Sequence, residues 1–503
     1  MNERIDSNEN QRASAAISRR TFLAGSIGLG LAAMLPGVGL VGCSPQSGSG
    51  EATVKDEGTF DIIVVGAGGA GMTAALSAQE AGANVVLLEK MAVVGGNTNF
   101  AEGGMNASET ALQKEEGVED SNELFAEDTF IGGKELGDKE LIRYMCENSN
   151  AAIERLAERG MHLTKISTSG GATVPRIHRP EDGSAVGGYL VTHMHDLCTE
   201  RGIGARTNMD VKNLIVEDGK IAGLVASDGK KEYTYKAPVV ILATGGFGAN
   251  HEMLAQYRPE LIDAVTTNQP GAQGDGIAIA TDIGADTVDL EHIQVHPTVE
   301  QSTSILLSEG IRGDGAILIN SEGNRFVNEL LTRDKVTAAE WEQPGGWAYA
   351  VFDQHVYDDN KSIKEKFEKQ GLLLSGDTIE ELAGVMEEID PTNFIGAVTT
   401  YNECIEQGVE DPFGRTKSLN PIVNAPFYAV KVAPGIHHTM GGLKIDTATR
   451  VLDTNGDPIP GLFAAGEVTG GVHGGNRLGG NAVCDINVFG HRAAESAVEY
   501  LSA

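Results

Sequence analysis

Cysteine is scarce in this chain: 503 residues contain five, Cys43, Cys146, Cys198, Cys404 and Cys484. No two of them stand as C-x-x-C, which excludes c-type haem attachment, zinc ribbons and thioredoxin chemistry. The cysteine runs that hold iron–sulfur clusters are absent too, and the last four thiols read as buried and free. Basic residues are also few, 38 against 71 acidic ones, for a net charge of −33. Binding to nucleic acid or an anionic membrane by bulk charge is thereby excluded, since both partners are anionic themselves. No internal repeat or long low-complexity tract occurs. What remains, 41% hydrophobic and 22% charged, is ordinary globular composition, and the length asks for two domains plus extras.

Residues 1–17 are polar, and Ser18-Arg19-Arg20-Thr21-Phe22-Leu23 then opens a moderately apolar, glycine-rich run to Gly42. Paired arginines before such a run have the pattern of a twin-arginine export signal. Leu40-Val41-Gly42-Cys43 has the pattern of a lipobox, whose cysteine is lipidated and becomes the mature N-terminus. Phe22–Gly42 is also just long enough to serve as an uncleaved anchor. Either reading makes residues 1–43 a targeting segment. It places the folded body outside the cytoplasm, on the outer membrane face or in the periplasm, tethered by a lipid on Cys43 or by the anchor. Residues 44–58 read as a flexible tether.

The stretch with most to say runs from Phe60 to Lys90. An apolar strand, Ile62 to Val65, breaks into Gly66-Ala67-Gly68-Gly69-Ala70-Gly71; a helix is predicted to Ala81, and Asn84 to Leu88 reads as a second strand closing on Glu89. This is the G-x-G-x-x-G fingerprint in its full strand–turn–helix–strand context. Gly66 allows the tight turn, Gly68 the approach of backbone N–H groups to a pyrophosphate, and Gly71 the close packing of helix on strand. The pyrophosphate then meets a helix N-terminus, with Glu89 placed for a ribose hydroxyl.

Downstream, Gly95-Gly96-Asn97-Thr98 and Ala101-Glu102-Gly103-Gly104 read as backbone laid against a flat cofactor. Residues 121–160 have helical periodicity, and 205–242 alternate as strands around an Asp218-Gly219 hairpin signal. A strand running into Gly466-Glu467 and a helix from Asn481 to Leu501 complete the pattern. The predicted fold is α/β: a Rossmann-like nucleotide-binding domain in two parts, 59–292 and 420–503, with an inserted α+β capping domain over 293–419.

Further motifs make a family visible. They are Thr267-Asn268-Gln269-Pro270-Gly271, Gln294-Val295-His296-Pro297-Thr298, Glu309-Gly310-Ile311-Arg312-Gly313, Arg325-Phe326-Val327-Asn328-Glu329, Thr332-Arg333-Asp334-Lys335, Gly435-Ile436-His437-His438-Thr439-Met440-Gly441-Gly442 and Gly475-Asn476-Arg477-Leu478-Gly479-Gly480-Asn481-Ala482. With Gly95-Gly96-Asn97 and Gly103-Gly104-Met105-Asn106-Ala107, they resemble the flavoprotein family of flavocytochrome c-type soluble fumarate reductases over residues 59–503. The resemblance implies FAD, contacted by Gly66, Gly68, Gly71, Glu89, Asn97, Gly103, His438, Glu467, Ala482 and Val483. No histidine lies in Gly95–Asn97, where membrane-bound relatives carry a covalent flavin link, so the expected FAD is noncovalent.

The resemblance also implies two carboxylate clamps for a dicarboxylate. His296, Ser308 and Glu309 form one; His437, Arg477 and the backbone at Gly103 and Gly480 form the other. Arginine grips a carboxylate bidentately, and a histidine can donate at neutral pH. Ser308 stands where some relatives have Thr, and Glu102 where a small residue is expected. In the implied mechanism FAD N5 passes hydride to one alkene carbon and Arg333 protonates the next, with Glu309 and Arg312 as the returning relay. An arginine is normally always charged, so Arg333 could instead be an electrostatic clamp on the developing carbanion. The expected activity is reduction of fumarate to succinate, with electrons from a separate membrane-associated or exported cytochrome. Other alkene acids of urocanate, methacrylate or cinnamate type are the alternative, as is a noncatalytic ligand-binding lipoprotein. Urocanate-reducing relatives replace the first clamp's histidine and glutamate, which remain here as His296 and Glu309.

Overall fold

The computed structural model describes residues 55–503. The targeting signals read from residues 18–43 lie outside the described residues, as does most of the expected tether. Among the described residues no helix is long and apolar enough to cross a membrane.

The architecture follows from short strands buried on both faces. Ile62–Val65, Val85–Leu88 and Val239–Leu242 are apolar at every position and buried at every position, as parallel strands covered on both sides must be. They lie in a five-stranded sheet in the order Arg450–Leu452, Pro458–Ala464, Val239–Leu242, Ile62–Val65, Val85–Leu88. All neighbours are parallel except the edge strand Arg450–Leu452. Helix Gly69–Glu80 covers this sheet and packs along the C-terminal helix Asn481–Leu501. The fingerprint glycines are steric necessities: Gly66 has φ +100°, and a Cβ on Gly71 would lie 1.8 Å from the Gly66 carbonyl oxygen.

A four-stranded sheet flanks this core in the order Lys55–Thr59, Glu232–Lys236, Lys220–Ser227, Asp210–Glu217. The last two form the hairpin expected around Asp218-Gly219, where both residues have positive φ. Its first strand corrects the tether: residues 55–58, expected to be flexible, pair in parallel with Glu232–Lys236. Their strand carries no apolar pattern, being charged and exposed, and is held by main-chain pairing and by Lys236 on Asp56 at 2.6 Å.

The third large sheet supplies one wall of the site. Its order is Ile293–Val299, Phe427–Thr439, Ala348–Asp353, Ile317–Ile319, with Leu374–Gly376 also on Phe427–Thr439. Alternation of side chains splits each strand between two cores. Ala348, Ala350 and Phe352 pack on one face with Leu318 and Val430, while Tyr349 and Val351 pack on the other with Ile317, Ile319 and Ala429. The 13-residue strand Phe427–Thr439 thus starts beyond the 293–419 segment yet pairs along its first half with Ala348–Asp353 and along its second with Ile293–Val299.

Candidate active site

One cavity runs from the fingerprint to this third sheet, its lining including Gly66 and Glu89 as well as Ser308, His437 and Arg477. Two helix N-termini, those of Gly69–Glu80 and Asn481–Leu501, border it through Gly69 and Ala70 and through Ala482 and Val483. Such ends present unpaired N–H groups and a positive dipole, which suits an anionic pyrophosphate. Glu89 lines the same cavity, its Oε2 accepting from the Ala67 N–H and its Oε1 from the Met91 N–H, both at 2.8 Å.

Asn97 bridges the cofactor end to the middle of the cavity. Its Nδ2 donates to Asn268 Oδ1 at 2.6 Å and to Glu467 Oε2 at 3.0 Å, and its Oδ1 accepts from the Gln269 N–H at 2.9 Å. Burial raises the Glu467 carboxyl above its ordinary value against the pull of these hydrogen bonds. His438, beside it, keeps Nε2 buried and without a partner. Burial first, then the charge of Arg477, holds this imidazole well below its usual range. Glycine-lined walls, anion-seeking helix ends and an orphaned imidazole fit a flavin dinucleotide.

At the far end of the cavity three cationic or imidazole groups converge, and a fourth, His296, packs on one of them without lining the space. Arg333 and Arg477 line it with His437, Ser308 and Glu309. The His296 ring meets His437 edge-on with centroids 5.3 Å apart. His437 Nδ1 lies 2.8 Å from Thr267 Oγ1, and His296 Nδ1 lies 3.2 Å from the Thr298 hydroxyl, which leaves His296 Nε2 buried and unpartnered. Burial and the neighbouring arginines push both rings well below the usual imidazole range, so both are neutral near pH 7. Arg477 donates to the Leu478 carbonyl at 3.1 Å and keeps Nε free; burial and then Arg333 lower it to about 9. Gly103 and Gly480 line the same space.

Of the predicted relay residues, Arg333 and Glu309 pair directly, whereas Arg312 acts on Glu309 through its charge without a hydrogen bond to it. Arg333 starts the helix Arg333–Trp341, and its Nε donates to Glu309 Oε2 at 2.5 Å. Burial alone would raise Glu309, but Arg333 and Arg312 outweigh it and hold the carboxyl below its ordinary value. Arg312 sits three residues on in the short helix Glu309–Gly313, its Nη1 donating to the Glu329 carbonyl at 2.6 Å.

Three residues in this network had no role in the sequence reading. Gln294 accepts from Arg333 Nη1 at 2.9 Å and donates to the Arg477 carbonyl at 2.7 Å, joining the two arginines. The Gly170 N–H donates to Glu309 Oε1 at 2.8 Å. Lys366 pairs with the buried Glu102, tying residues 363–368 to the loop beside Gly103. Gln294 belongs to the motif Gln294-Val295-His296-Pro297-Thr298, which signals it, whereas Gly170 and Lys366 lie in unremarkable loop and helix sequence.

The fold and the cavity define an FAD-binding oxidoreductase, and the comparisons agree. Residues 61–483 match the FAD binding domain family. The chain is 46% identical over 458 residues to the NADH:fumarate oxidoreductase of Klebsiella pneumoniae, covering 90% of itself but only 49% of that protein. It is 43% identical to a fumarate reductase (cytochrome) of Shewanella frigidimarina (88% and 77% covered) and 39% to a urocanate reductase of Eggerthella lenta (87% and 74%). The open conformation of a flavocytochrome c3 fumarate reductase superposes with a TM-score of 0.73 at 42% identity, covering 89% of this chain and 79% of that one. The chain belongs to the flavocytochrome c-type fumarate reductase family, FAD-dependent oxidoreductases acting on CH–CH groups.

Proposed function

We propose that this protein reduces an unsaturated dicarboxylic acid, in the first instance fumarate to succinate, and that it does so outside the cytoplasm. The observation that carries the reading is the pair of buried guanidinium groups, Arg333 and Arg477, lining one cavity with neutral His437, on which neutral His296 packs. Relatives named for fumarate reduction support it, and the urocanate reductase marks the alternative substrate class.

FAD, held noncovalently by residues 66–71, Glu89, Asn97, His438 and Glu467 with the helix ends at 69 and 481, supplies the hydride when reduced. The protein's own groups do the rest. One substrate carboxylate docks on His296 and Ser308, the other on Arg477 and His437, with the Gly103 and Gly480 backbone closing the seat. Two fixed ends hold the alkene in one orientation, which removes the entropy of alignment from the barrier. Arg333 lends a proton to the carbon next to the one that gains hydride. Glu309, at 2.5 Å, restores it at once, so the guanidine is neutral only fleetingly. Arg312 supplies Glu309 in turn. The residues of 293–419, with the first half of strand Phe427–Thr439, act as the cap that excludes water. These 503 residues hold no haem or iron–sulfur motif, which supports an electron supply from outside them, in our reading a membrane-associated or exported cytochrome. The targeting motifs of residues 18–43 support export and a lipid or peptide anchor.

The direct test is purified protein with reduced viologen against a panel of unsaturated acids. Rapid reoxidation by fumarate supports the reading. A preference for an urocanate- or cinnamate-type acid moves it to the alternative, and no alkene-dependent reoxidation at all ends it.

A further inference from the structure

The helix that starts at Arg333 carries near its end a buried carboxylate that none of these steps uses. Glu340 follows Arg333 by seven residues, two turns along one face, and that face buries Arg333, Val336, Thr337 and Glu340. Glu340 is 0% exposed, and neither of its carboxyl oxygens has a hydrogen-bond partner. Arg312 is 1% exposed and spends only Nη1, leaving Nε and Nη2 without partners.

Arg312 is the charge that acts on Glu340, and it acts on Glu309 and Arg333 as well. Beyond Arg312 lies Glu329, whose oxygens are taken by Arg325 and Arg415. The strands packed on the helix bring His296, Lys431, His437 and His438, none of which acts on Glu340. Burial outweighs the pull of Arg312 and pushes this carboxyl well above the ordinary carboxylate range, so it holds its proton near neutrality. The helix ends one residue beyond Glu340, at Trp341, which is 47% exposed.

We propose that Glu340 is the outer end of the proton relay, a positioning residue that passes its proton through Arg312 to Glu309 and so to Arg333. The inference rests on the reading of Arg333 as the acid. An Arg312 N–H bond breaks as an O–H bond forms on Glu309, and that proton rebuilds the Arg333 guanidinium. The Glu340 O–H bond then breaks as an N–H bond re-forms on the neutral Arg312 guanidine, with a water bridging the gap to Arg312 at each transfer. No electrons change hands. Glu340 is left as a carboxylate beside the Arg312 cation and recovers its proton from water at the helix end.

The test uses the full FAD-loaded protein carrying Glu340→Gln, Glu340→Met and Glu340→Asp. Expected for Gln and Met are unchanged flavin absorbance and KM, with kcat for fumarate lowered about tenfold or more, below the 10²–10⁴ of a directly acting acid. The solvent deuterium effect on kcat should grow. The alkaline fall in kcat as Glu340 loses its proton should vanish, and Asp should restore part of the rate. Wild-type kcat and pH profile in both Gln and Met would overturn the proposal. So would loss of folding in both while Asp folds with unaltered kinetics, because Glu340 would then be structural. Arg333→Ala separates the two readings: near-normal turnover there removes the acid itself, whereas a dead Arg333→Ala beside an unaffected Glu340→Gln removes the relay end alone.

Discussion

Arg477 pays heavily for its place in the cavity wall. It is fully buried, one nitrogen is unpartnered, and the charge of Arg333 opposes its own. An incoming carboxylate relieves both defects, which is why a cationic pair can coexist in a chain of net charge −33. Because the guanidinium is lowered to about 9, raising the pH through that value removes the cation and weakens the clamp. Binding of succinate, followed by the flavin spectrum, should therefore fall progressively above about pH 9, and an affinity level to pH 11 would contradict the assignment. Arg477→Ala should cost roughly 10²-fold in fumarate kcat/KM, as expected when one partner of a buried charged pair is truncated. Arg333→Ala should keep flavin binding and reduction but slow alkene reduction by at least ~10²-fold, since both its proposed roles act in that step.

Among the elements, the turn between Ile62–Val65 and Gly69–Glu80 tolerates least. A Cβ at residue 71 would sit 1.8 Å from the Gly66 carbonyl, and backbone cannot yield as a flexible side chain can. Gly71→Ala should shift the helix off the strand, lower stability by about 1–3 kcal/mol and release FAD, read as lost yellow colour and a lower Tm. Full flavin content in that variant would show that the turn has slack. This element was also the most legible one, because its strands are apolar at every position and its glycines are demanded by contact. The edge strand Lys55–Thr59 was not legible: it is held by main-chain pairing and charge, which leave no apolar period to read. The cavity's charged groups were readable as motif members. The links among them were not, since Gln294, Gly170 and Lys366 act through geometry that only folding creates.

At the scale of the whole molecule two fields compete for an anionic substrate. The whole chain carries net charge −33 and repels a dianion from a distance, while the cavity gathers Arg333 and Arg477, with Arg312 buried nearby. The first field is screened over ~8 Å at physiological salt; the second acts between buried groups and is screened little. Discrimination between acids should therefore come from the clamps. A monocarboxylate such as crotonate fills one clamp and leaves the other's buried donors unpaired, and sites built around a substrate group can reject analogues lacking it by about 10⁴-fold. Fumarate should thus exceed crotonate in kcat/KM by at least ~10³-fold on the same reasoning, with part of the difference in kcat because the second carboxylate also orients the alkene. Added salt should change the absolute rates and leave that ratio nearly intact, and Arg477→Ala should narrow it. A ratio that collapses in salt would assign selectivity to the surface field, and an aromatic acrylate that outruns fumarate would mean that the seat between His296 and Arg477 is built for a wider acid.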